Sequence, residues 1–95
     1  MNKYLVVCDL NRILEKGTEL SKVISNFVKF DLVFNEVTNV WIFASNHDIV
    51  EIRDLLTNTL SEKDHVLVFK IDSIAAWNTD SQESSDKIKS ILLAD

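Results

Sequence analysis

Tyr4-Leu5-Val6-Val7-Cys8-Asp9-Leu10-Asn11 is a short apolar run that ends in an acid. Lys3–Cys8 reads as a strand apolar on both faces, which places it at the centre of a sheet covered on at least one side. Its end delivers one carboxylate, Asp9, to the rim of that sheet. Such a carboxylate serves either as a metal ligand or as part of a local turn.

Working outward, residues 9–17 read as a connector holding Asp9, Asn11, Arg12 and the only glycine, Gly17. Thr18 is placed to cap a helix whose apolar stripe is Leu20, Val23, Ile24, Phe27 and Val28. A second strand is expected from Asp31 to Val37 and a third over Val40-Trp41-Ile42-Phe43-Ala44. Thr38-Asn39 between them suits a tight hairpin, because Asn tolerates positive φ. Ser45 and Asp48 mark the start of a second helix, with Ile49, Ile52, Leu56 and Leu60 as its buried stripe. Ser61-Glu62-Lys63-Asp64 is a polar turn, and His65–Ile71 is the fourth strand. Ile74-Ala75-Ala76-Trp77 is a short apolar segment. Thr79 with Gln82 can cap a last helix that buries Ile88, Ile91 and Leu92.

The order βαββαβ plus a helix predicts one α+β domain over residues 1–95. Its expected form is a ferredoxin-like sandwich with an antiparallel four-stranded sheet in the order 4-1-3-2 and a C-terminal helix. Two helices cover one face. The other face carries those of Val6, Phe34, Trp41, Ile42 and Phe69 that point away from them, and an apolar face of that size calls for a cover. Either the C-terminal helix or a second subunit is expected to cover part of it, and of the two a homodimer is favoured.

Composition narrows the classes of function. A 46% hydrophobic content fits a packed core. No apolar run is long enough for a membrane span, and the N-terminal region lacks the pattern of a signal peptide. One cysteine, Cys8, points to a reducing compartment, the cytoplasm. The net charge of -5 argues against sequence-independent nucleic-acid binding. The charge is uneven: residues 1–30 carry five cations against three acids, and the rest five against twelve. With one glycine and no proline there is no phosphate-cradling loop, and no nucleophile elbow is present. His47 and His65 have no partners at zinc spacing. Cys8 reads as a small buried hydrophobe. Trp41, Phe34 and Trp77 read as core or dimer packing. Arg12 and Lys16 could meet phosphate beside Asp9, or simply be solvated.

Cys8-Asp9-Leu10-Asn11, the strand Asn39-Val40-Trp41-Ile42 and the late Ala75-Ala76-Trp77 resemble the small ferredoxin-like proteins labelled SinR-like. More distantly, the chain resembles the small adaptation subunit of CRISPR systems and the virulence-associated protein D toxins. That resemblance implies a homodimer, either a metal-dependent nuclease or a structural adaptor. It makes Asp9 the catalytic and Mg2+-binding residue, with Arg12 and Lys16 as nucleic-acid contacts. Two Asp9 side chains meeting across a dimer axis could hold one ion. The basic strand-two signature of the CRISPR family is replaced here by Leu32-Val33-Phe34-Asn35-Glu36. The expectation is therefore a small cytoplasmic dimeric binding or adaptor protein with a protein or nucleic-acid partner. The alternatives are a metal-dependent endoribonuclease or deoxyribonuclease using Asp9, and an acidic inhibitor that mimics nucleic acid.

Overall fold

Val40–Ser45 and His65–Ile71 each lie antiparallel to Asn2–Asp9, one on either side, in a computed structural model. The structure describes residues 1–11, 13–28, 33–35, 39–72 and 81–94; the side chains of residues 13–16, 27, 33 and 34 fall outside that description. The elements run β1 (Asn2–Asp9), α1 (Ile13–Phe27), β2 (Val33–Phe34), β3 (Val40–Ser45), α2 (Ile49–Thr57), β4 (His65–Ile71) and α3 (Gln82–Leu92).

Three long strands carry the sheet, with β1 central; counted among themselves they stand in the order 2-1-3. β2 adds only a two-residue rung outside β3, Val33 opposite Phe43 and Phe34 opposite Ile42, so the bonded order reads β2-β3-β1-β4. The expected ferredoxin-like sandwich with an antiparallel four-stranded sheet in the order 4-1-3-2 is therefore corrected to an α+β fold that has, among the described residues, three substantial antiparallel strands and three helices. The expected strand over Asp31–Val37 is rich in residues that strands disfavour. Of that stretch the described residues are Val33 and Phe34, which pair, and Asn35, which does not.

The side chains of β1 alternate cleanly. Tyr4, Val6 and Cys8 are buried with Trp41 and Phe43 of β3, Leu20 and Ile24 of α1, and Ile52 and Leu56 of α2. The Trp41 indole Nε1–H donates to Ser21 Oγ at 3.2 Å, which satisfies the polar end of the largest buried side chain. On the opposite face Ile42, Ala44, Ile91, Met1 and Ala94 form a second, smaller cluster, so α3 lies over the β3 side. The β4 side of that face keeps Leu67 and Phe69 exposed, at 59% and 48%.

Several local expectations are also corrected. Helix α1 begins at Ile13, so Gly17 and Thr18 lie inside it rather than before it. The N-cap of α2 is Asp48, which accepts from the Glu51 N–H, while Ser45 closes β3 and accepts from the His47 N–H. The N-cap of α3 is Ser81, and Thr79 lies outside the described residues. No described residue other than glycine has positive φ, Asn39 included. The segment Ile74–Trp77 also lies outside the described residues. Among the described residues, no helix is long and apolar enough to cross a membrane.

Candidate functional site

β1 ends at Asp9, and its partner in the antiparallel ladder is His65, the first residue of β4. Both side chains are exposed. By strand alternation they stand on the face opposite Cys8, away from α1 and α2. Arg12 lies outside the described residues. Lys16 lies in α1, with its side chain outside the description, as does that of Phe34 in β2. Trp77 lies outside the described residues, and Trp41 is in the core. Of the residues singled out from the sequence, the fold thus brings Asp9 to one sheet end opposite His65.

The residue that organises this end is Asp64, assigned from the sequence to a polar turn. It is 6% exposed. Its Oδ1 accepts from the Asn11 N–H at 2.7 Å, and its Oδ2 accepts from the Ser61 N–H at 3.0 Å and the Ser61 hydroxyl at 2.9 Å. The Asp64 N–H in turn donates to the Ser61 carbonyl. One carboxylate therefore ties the chain leaving β1 to the chain entering β4. The spacing Ser61-x-x-Asp64 could have signalled the local half of this latch. The Asn11 half joins residues 53 apart in sequence and has no local signature.

Beneath Asp9, burial pushes the Cys8 thiol up to about 11, and the Asp64 charge adds to the push. Cys8 is therefore a neutral thiol at neutral pH and a poor nucleophile. At the other end of β1, the Tyr4 hydroxyl donates to the His47 carbonyl and accepts from the Asn2 side chain at 3.2 Å. Burial raises its pKa; the Asn2 bond opposes the shift, and the charges of Asp48 and Glu51 reinforce it.

Two shallow grooves flank β4. One, of about 440 Å³, is lined by Arg53, Thr57, Ser61, Glu62, Asp64 and His65, among others. Its one guanidinium, Arg53, bonds Asp54 at 2.9 and 3.1 Å. The other, of about 300 Å³, is lined by Ile49, Val50, Arg53, Val66, Leu67 and Val68 and is largely apolar.

As a magnesium site the Asp9–His65 pair offers one exposed carboxylate and one imidazole. Asp64 beside it accepts three hydrogen bonds with its two oxygens. Among the described residues, no group of three or more His, Cys, Asp or Glu side chains is arranged to hold a metal ion. No protein-family model matches the chain, and no curated protein matches it.

Proposed function

We propose that this chain is a small non-catalytic binding module of the cytoplasm, active as a homodimer and engaging a protein partner. The observation that carries this reading is the exposed apolar side of β4, where Leu67 and Phe69 stand on one face beside the apolar groove of Val50, Val66 and Val68. Apolar surface of this kind on a small domain marks an interaction site. The net charge of -5 favours a protein over a nucleic-acid backbone as the partner. The single buried cysteine suits a reducing compartment.

A second reading, a metal-dependent nuclease, is favoured by one observation: Asp9 stands exposed at a strand end opposite His65. One assay separates the two. Purified protein and an Asp9→Asn variant are incubated with labelled RNA and DNA, with magnesium and with chelator. The binding-module reading expects intact nucleic acid in every lane. Cleavage that requires magnesium and disappears in Asp9→Asn would overturn it in favour of the nuclease.

A further inference from the structure

We propose that the outer edge of β4 pairs antiparallel with the same edge of a second copy, about a twofold axis centred on Val68. The proposal rests on the homodimeric reading above and specifies its surface.

The argument starts from the direction of backbone groups. The Cys8 N–H donates to the Asn39 carbonyl at 2.8 Å, on the β3 side of β1. Backbone polarity alternates along a strand, so the N–H and C=O of Lys3, Leu5, Val7 and Asp9 face β4. Their register partners are Ile71, Phe69, Leu67 and His65. The groups of Val66, Val68 and Lys70 are therefore turned outward, and among the described residues no strand pairs with that edge. The seven residues His65–Ile71 contain no glycine, proline or acid and are mostly β-branched or aromatic. Such an edge is a template for another strand.

The edge also selects its occupant. An added strand would lay alternate side chains on the exposed Leu67 and Phe69 and on the groove of Ile49, Val50, Arg53, Val66 and Val68. It must be mostly apolar on both faces, and β4 has that pattern, with Leu67, Phe69 and Ile71 on one face and Val66 and Val68 on the other. Two outward-facing residues must meet in each bonded pair, which restricts the registers. A twofold at Val68 pairs Val68 with the partner's Val68 and Val66 with the partner's Lys70. All six outward N–H groups of the two copies then find acceptors. A twofold at Leu67 would pair Lys70 with the partner's Asp64, whose N–H is already given to Ser61. The Val68 register sets Leu67 directly opposite the partner's Phe69, joining the two exposed apolar residues as a cross-strand pair. It also keeps the two Lys70 ammonium groups four residues apart. α3 lies over the β3 side and leaves this edge clear. An edge contact of this length falls below the roughly 1,600 Å² of a standard interface, so the dimer is expected to be of micromolar strength.

Two variants test the geometry. Lys70→Pro removes two of the six bonds and blocks the edge, while the Lys70 side chain is exposed and, among the described residues, its outward N–H faces no strand. Light scattering across a concentration series is expected to show a dimer for the parent chain and about tenfold or more weaker association for Lys70→Pro, with an unchanged far-ultraviolet spectrum. The second test is independent of how well that variant folds. In the chosen register Leu67 and the partner's Phe69 form a non-hydrogen-bonded pair, with Cα atoms about 4.5 Å apart, within disulfide reach. Under mild oxidation, Leu67→Cys combined with Phe69→Cys is expected to cross-link two chains, whereas either change alone is not. Cys8 can stay in place, being buried. A dimer that neither cross-links in the double variant nor weakens in Lys70→Pro would overturn this edge and leave the homodimer standing. A chain that is monomeric throughout would overturn both.

Discussion

Asp64 carries more of the fold than its place in a polar turn suggests. Its carboxylate satisfies three donors from two chain segments, and truncation would leave the Asn11 and Ser61 amides without that acceptor. Asp64→Ala is expected to cost about 2–4 kcal/mol in urea unfolding. Cys8 gives a second residue-level expectation. Its thiol rises from an ordinary 9.0 to about 11 in the fold. A group raised on folding stabilises fully below its unfolded pKa and loses that contribution as pH climbs through the folded one. Stability should therefore fall between pH 9 and pH 11, by about 2–3 kcal/mol from this group, and the raised Tyr4 hydroxyl acts in the same direction. Urea midpoints measured across that range check it; Cys8→Ala should remove much of the slope. The sequence identified Cys8 as buried from its apolar neighbours. It could not reveal Asp64, because burial there depends on Asn11, brought in by the turn of the whole sheet.

At the scale of elements, periodicity was the reliable signal and punctuation the unreliable one. The stripe Leu20 and Ile24 does face the core, as do Ile52 and Leu56 of α2 and Val66 and Val68 of β4. Gly17 falls in the connector expected over residues 9–17, yet α1 runs through it, since the helix is held by its packed face rather than by propensity. No positive-φ glycine is present among the described residues, so Gly17→Ala should be tolerated sterically and should stabilise the protein by about 0.5–1 kcal/mol, seen as a higher Tm. Among the described residues the second strand is a two-residue rung, Val33 and Phe34, both of strong strand propensity.

At the scale of the molecule, the sheet is covered unequally. α1 and α2 bury one face, α3 buries the β3 side of the other, and β4 keeps exposed apolar residues. If that surface pairs two copies, folding and association are linked. The urea midpoint should then rise with protein concentration in the parent chain and become independent of concentration in Lys70→Pro. The sequence anticipated an apolar face needing a cover. It could not say which part stays bare, because that depends on where α3 settles, and the link between β4 and α3 has no periodic pattern to read.

The pairing of Asp9 with His65 has a consequence for catalysis. In a sheet extended through two β4 edges about Val68, each Asp9 sits at its own outer corner. Three inter-strand gaps of about 4.8 Å and six residues of about 3.3 Å separate the two carboxylates, roughly 25 Å in all. No ion could bridge them. The same cross-link that establishes this assembly would confine any Asp9 chemistry to a single chain, and evidence for a shared ion would in turn exclude this twofold.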